Sequence, residues 1–164
     1  MTKESKELIL STIQKNARIN LSDLAIQLNL PEAEVEAFIT KCEKDKTIQG
    51  YYTLIKPEAL EGRSVRALIS VSVQPENETG FDHIARKLSK FTEVTDVQLM
   101  SGNYDLLLTV VGASLHEVAD FIATKLAPMN GISHHSTHFM LKKYKEAGFQ
   151  LEDKDDYERL SVTP

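Results

Sequence analysis

The apolar residues first change their spacing near residue 62, and that change governs what this chain can become. Before it they recur at helical intervals: Ile9, Leu10 and Ile13, then Leu24, Ala25 and Leu28, then Val35, Phe38, Ile39 and Cys42. After it Val65, Ala67, Ile69, Val71 and Val73 alternate with polar or small residues, the period of a half-buried strand. A helical stripe and a strand face need different partners, so a chain of 164 residues with both is read as two small domains.

The boundary between them is the segment 56–62, Lys-Pro-Glu-Ala-Leu-Glu-Gly, where apolar content falls and Pro57 and Gly62 appear. Residues 1–55 then read as three short helices followed by a ribbon. The first helix ends before Asn16, Asn20 caps the second with Asp23 as its capping-box partner, and Pro31 starts the third. A β-rich stretch from Thr47 to Ile55, turning at Gly50, completes the pattern of a winged helix-turn-helix.

Residues 63–145 read as strand, helix, strand, strand, helix, strand. The first helix carries Phe81, Ile84, Ala85, Leu88 and Phe91; the strands Val94 to Met100 and Tyr104 to Val111 meet at a hairpin turn on Gly102-Asn103. The second helix carries Leu115, Val118, Ala119, Ile122 and Leu126 and closes at Pro128, and Ile132 to Tyr144 is the last strand. This order is that of a ferredoxin-like βαββαβ sandwich, so the fold class is α+β. Two helices cover only one face of such a sheet, and the other face needs solvent, a ligand or a second copy.

Composition narrows the function. Hydrophobic residues make up 41% and charged residues 26%, as in soluble globular proteins, and no apolar run reaches the roughly 20 residues that span a bilayer. One cysteine, Cys42, sits on an apolar stripe, and the start of the chain lacks the pattern of a secretory signal, so a reducing cytoplasm is expected. The net charge of −5 argues at first against nucleic acid. Most of it falls in an acidic tail, 146–164, with six acidic against two basic residues, which leaves 17 basic and 18 acidic elsewhere. Neutrality of that kind permits a local DNA-facing patch. No catalytic constellation, phosphate loop, cofactor motif or metal-ligand spacing is found.

The helix-turn-helix followed by βαββαβ resembles the Lrp/AsnC family of transcriptional regulators. The residues that carry the resemblance are Ile9-Leu10, Ile13, Arg18-Ile19, Leu24-Ala25, Val35, Ile39, Glu43 and Ile48-Gln49-Gly50-Tyr51. In the second domain they centre on Ser101-Gly102-Asn103-Tyr104-Asp105, similar to that family's Gly-x-Tyr/Phe-Asp signature, and together they span about Lys6 to Lys145. The resemblance implies a regulator of double-stranded DNA that dimerises through the open sheet. It implies stacking of dimers up to octamers and binding of a small effector, usually an amino acid, in clefts between them.

The third helix is then the recognition helix, with Glu32, Ala33, Thr40, Lys41 and Lys44 at the DNA, helped by Gln49 at the wing and Arg18 before the second helix. Where the family usually has serine at Pro31 and arginines near Phe38, Thr40 and Lys41, this chain is acidic: Glu32, Glu34, Glu36, Glu43 and Asp45 against Lys41, Lys44 and Lys46. Glu32 and Glu34 suit the helix dipole without any DNA, yet carboxylates at the groove repel phosphates. A sensing and assembly module with weak or lost DNA binding is therefore a second reading. Siroheme decarboxylases, similar to the family in both domains, are a third.

At the effector loop, Ser101, Gly102, Asn103 and Tyr104 can be a plain hairpin connection or can offer backbone N–H groups to a carboxylate, with Asp105 for an ammonium group. His135 and Thr137 share one face of the last strand and are taken as effector-facing. His134, Ser136 and His138 share the other. On a strand, His134 and His138 are too far apart to share one metal ion, so titration at an interface or plain solvation are the remaining readings.

Overall fold

The computed structural model describes residues 1–56, 59, 64–74 and 80–151, and divides the chain into two compact units, Met1–Leu54 and Ile55–Pro164.

The first unit is three helices, α1 (Lys3–Lys15), α2 (Leu21–Leu28) and α3 (Glu32–Lys44). Asn20 accepts a hydrogen bond from the Ser22 N–H at 2.9 Å and so starts α2; Asn29, in the left-handed region, ends it. Pro31 precedes α3 with its φ already helical and no side-chain cap. Ile9, Ile13, Leu24, Ala25 and Val35 form the buried centre, with Phe38 and Ile39 half-buried against it.

The expected ribbon after α3 is absent, since Thr47 to Ile55 holds no strand. The reason is local. Asp45 accepts the Thr47 N–H at 3.0 Å, Lys46 takes a left-handed φ of 64°, and the Ile48 N–H returns to the Cys42 carbonyl at 2.9 Å. That turn ends the helix and leaves an extended segment with no strand to pair with. The segment is tied back once, by the Tyr51 hydroxyl donating to Glu43 Oε1 at 2.7 Å.

The second unit holds β1 (Val65–Val73), α4 (Asp82–Leu88), β2 (Val94–Leu99), β3 (Leu106–Gly112), α5 (Leu115–Phe121), a π-helical turn (Ile122–Leu126) that continues α5, and β4 (Ile132–Phe139). The sheet order is β2-β3-β1-β4, antiparallel throughout, as a ferredoxin-like sandwich requires. Alternation places Ala67, Ile69, Val71 and Val73 of β1 beside Leu106, Leu108 and Val110 of β3, all buried under Ile84, Leu88, Val118, Phe121 and Leu126 of the helices. Arg66, Leu68, Ser70 and Ser72 point the other way with Leu107, Thr109 and Val111, half-buried with no helix of this unit over them among the described residues.

The last strand stops at Phe139, short of the expected Tyr144. Met140 makes the final bond, its N–H donating to the Arg66 carbonyl at 2.8 Å, one residue from the start of β1 at Val65. Leu141 is 98% exposed. A short hairpin follows, β5 (Lys145–Glu146) and β6 (Phe149–Gln150), turned by Ala147 and Gly148 at positive φ. The acidic segment expected from residue 146 thus begins inside an ordered hairpin, with Glu146 bound by Lys143 at 2.7 Å and near Arg66 at 3.9 Å. Its remainder, 152–164, lies outside the described residues, as does most of the linker 56–62. Among the described residues no helix is long and apolar enough to cross a membrane.

Two stability outcomes follow from this packing. Gly131 has φ 92°, and a methyl group there would sit 2.9 Å from buried Ile84 Cδ1. Gly131→Ala should lose more than ~1 kcal/mol in urea unfolding, whereas Gly50→Ala, with open space around it and no positive φ, should match the parent. The Lys125 ammonium donates to Glu93 and holds that carboxyl below its usual range. A lowered carboxylate stabilises above its unfolded pKa and loses that contribution as pH falls through the folded value. Both groups are partly exposed, so Lys125→Met should cost only ~0.5 kcal/mol at pH 7, and the difference from the parent should vanish in acid.

Candidate functional site

On α3, Val35 and Cys42 face the core, which turns Ala33, Glu36, Ala37, Thr40, Lys41 and Lys44 outward as one continuous shallow strip that ends at Asp45. The spacing from Ala33 to Lys44 is i, i+3, i+4, i+7, i+8 and i+11, the solvent side of an amphipathic helix. Sequence reading placed Ala33, Thr40, Lys41 and Lys44 here, and the structure brings them together. It missed Glu36 and Ala37, although their helical spacing from Ala33 and Lys41 carried the signal.

The acidic residues of α3 are not equivalent. Glu32 accepts the Ser22 hydroxyl at 2.7 Å, bridging α2 to α3. Glu34 lies 2.8 Å from the amino group of Met1. Glu43 accepts Tyr51, which pushes the Tyr51 phenol pKa up. Asp45 is held below the usual carboxylate range by its hydrogen bonds from Thr47. Glu36 alone of the five has no hydrogen-bond or ionic partner among the described residues, and it is exposed. Glu32, expected at the DNA, thus belongs to the α2–α3 joint.

Arg18 is exposed in the turn before α2, its backbone N–H donating to Asn16 Oδ1 at 3.1 Å, and its guanidinium has no partner among the described residues. Gln49, expected at a wing, instead donates its side-chain amide to the Lys46 carbonyl and helps close the turn after α3.

In the second unit the loop after β2 is wider than the two-residue turn expected at Gly102-Asn103. The Met100 N–H donates to the Asp105 carbonyl at 2.8 Å, which leaves residues 101–104 as the loop. Gly102 has φ 150° and open space where a Cβ would project. The N–H groups of Ser101, Gly102, Asn103 and Tyr104 find no acceptor among the described residues. Asp105 is half-buried and bonded into the sheet's end. Its N–H donates to the Val71 carbonyl at 3.0 Å, and its Oδ2 accepts the Val73 N–H at 2.8 Å. One carboxylate oxygen anchors β1, and the other is left over.

His135 and Thr137 pair with Val71 and Ile69, on the helix-covered side of β4 and half-buried; His134 and His138 lie exposed on the open side. His135 stands at the same end of the sheet as the loop but across β1. Two strand spacings, roughly 10 Å, separate them. A single copy therefore does not bring His135 and Thr137 onto residues 101–105. Among the described residues no three His, Cys, Asp or Glu side chains gather that could hold a metal ion.

Comparison with known proteins covers both units. Residues 66–148 match the family model described as the Lrp/AsnC ligand binding domain, and residues 3–49 match a winged helix-turn-helix DNA-binding model. The chain is 38% identical over 162 residues, 98% of each chain, to the HTH-type transcriptional regulator YugG of Bacillus subtilis. It is 27% identical to the regulator LrpA of Pyrococcus horikoshii over 88% of this chain and all of that one. Among solved structures, its fold is similar to a transcriptional regulator of Neisseria meningitidis in complex with L-Met (TM-score 0.69, 21% identity, 92% of this chain and 97% of that one). It is also similar to AsnC of E. coli (TM-score 0.67, 20% identity, 89% and 96%). These relatives carry the names of transcriptional regulators rather than enzymes, which sets the tetrapyrrole-enzyme alternative aside.

The Asp105 geometry yields a discriminating pair of variants. Asp105→Ala strips the acceptor from the Val73 N–H and should cost ~1–3 kcal/mol. Asp105→Asn keeps an acceptor oxygen there and should lose less than half as much in the same denaturation experiment.

Proposed function

Because this chain belongs to the Lrp/AsnC family of helix-turn-helix transcriptional regulators, we propose that it reads operator DNA with α3 and is switched by a free amino acid at the 101–105 loop. The family supplies the coarser statement, a DNA-binding domain joined to a ligand-binding domain. The observation that carries the finer one is the loop itself. Four backbone N–H groups without acceptors suit a carboxylate, and the spare oxygen of Asp105 suits an ammonium group a few ångströms away. The L-Met complex of the Neisseria regulator, whose fold is similar, lends support to an amino acid as the ligand.

The working unit is a homodimer. The sheet face that carries Leu68, Leu107 and Val111 has no helix of this unit over it among the described residues, and a second copy is the partner that would bury it and pair two α3 helices on one duplex. The strip on α3 supports DNA binding over the reading of a module that has lost it. Glu32, Glu34 and Glu43 are held by partners off the strip, and Lys41 and Lys44 line it beside Glu36 and Asp45, placed to reach phosphates.

Two measurements test this. A thermal-shift screen of the twenty amino acids should find one that, at 100 times its dissociation constant, adds about 2.7 kcal/mol. Asp105→Asn should abolish that gain while keeping most of its unliganded stability. No response to any amino acid would overturn the effector assignment. Binding to a specific duplex should weaken with log salt at a slope of about 0.9 per phosphate contacted, and Lys41→Ala or Lys44→Ala should each lower that slope by about one. A chain that remains monomeric at micromolar concentration would remove the dimer.

A further inference from the structure

We propose that Glu36 is a specificity-determining residue that reads cytosine, so that the operator of this protein carries a G·C pair at one fixed position in each half-site. The inference rests on the reading of α3 as the DNA-contacting helix. It concerns which base that helix selects.

The argument begins from the sorting of carboxylates on α3. Four of the five carboxylates on α3 and its C-cap have partners: Glu34 an ion pair with the Met1 amine, and Glu32, Glu43 and Asp45 hydrogen bonds from Ser22, Tyr51 and the Thr47 N–H, which orient them without removing their charge. Glu36 is left bare in the middle of the outward strip, one turn past Ala33 and one turn before Thr40. It has no lysine or arginine within salt-bridge distance, although Lys41 and Lys44 line the same strip. An acid held out in this way has one favourable contact in a major groove, the exocyclic N4 amino group of cytosine, the donor that faces a carboxylate there. Adenine offers a donor too, but beside the N7 acceptor, which suits an amide that both donates and accepts.

The neighbours complete the pattern. Ala33 and Ala37 are small and exposed, so the backbone of α3 can approach the base edges closely at the level of Glu36. Their methyl groups, with that of Thr40, match thymine methyls. Lys41 and Lys44 lie in the C-terminal half of the helix, suited to the phosphates on either side. The predicted half-site is therefore a cytosine flanked by thymines, with affinity drawn from the lysines and selectivity from Glu36. The carboxylate also disfavours every other register, since at a base without a donor it meets only acceptors.

The test is selection of binding sites from a random duplex library by the full-length protein, repeated with Glu36→Gln, Glu36→Ala and Glu32→Gln. The parent should enrich a sequence with one invariant cytosine in each half-site. Replacing that cytosine by thymine should weaken parent binding about tenfold, equivalent to ~1.4 kcal/mol. For Glu36→Gln and Glu36→Ala the same replacement should change affinity less than twofold, while their binding to unrelated DNA strengthens. Glu32→Gln should retain the parent's preference, because Glu32 is tied to Ser22. If the Glu36 variants keep the tenfold preference, or if the parent's site has no invariant cytosine, the assignment of Glu36 is overturned while α3 remains the reading helix. If the parent enriches no sequence at all, the DNA-binding reading itself falls, and this inference with it.

Discussion

Strand β1 is the member on which the second unit depends: with β3 it is one of the two inner strands of the four-stranded sheet, and among the described residues it is the longest. It pairs with β3 over Val65 to Val71 and with β4 over Ala67 to Val73, while its inner residues Ala67, Ile69 and Val71 are fully excluded from water. Its strict alternation decides which side of every neighbouring strand is buried, since directly paired residues share a face. The helices α4 and α5 then close one side, and the loop after β2 is placed by its bonds to Val71 and Val73. The 101–105 loop, the histidine-bearing strand and the open sheet face all take their positions from this one element.

What could be read in the residues follows from how local the determining interactions are. Alternation in β1 and the stripes of α3 and α4 predicted the buried side correctly because each is a repeating pattern within one segment. The ferredoxin-like order followed from the sequence of such patterns. The failures have another origin. The ribbon expected after α3 depended on a partner strand, and β-propensity from Thr47 to Ile55 says nothing about whether one exists. The final strand was extended to Tyr144 because its residues allow it; it ends at the bond to Arg66, one residue from the start of β1. The same holds for side chains. Nothing in the order of residues tells that Glu32 meets Ser22, or that Gln49 closes a turn instead of standing on a wing.

The acidic character of α3 changes meaning once its partners are known. By composition it argues against DNA, and a net count of charges would class the helix as repelled. In three dimensions most of that charge belongs to the joints around the helix: to α2 through Ser22, to the following segment through Tyr51, and to the terminating turn through Thr47. The carboxylates brace the helix within its unit, and the surface turned outward is small, lysine-bearing and marked by one bare acid.

The bond between Asp105 and the Val73 N–H fixes the carboxylate plane before any ligand arrives. In the proposed site a carboxylate already held by the fold has less rotational freedom to surrender at capture, so an ammonium contact there would register with little loss in affinity. The same immobility narrows what fits. A ligand whose charged ends are spaced even slightly wrong cannot be accommodated by swinging that side chain, and so rigidity here acts as a ruler.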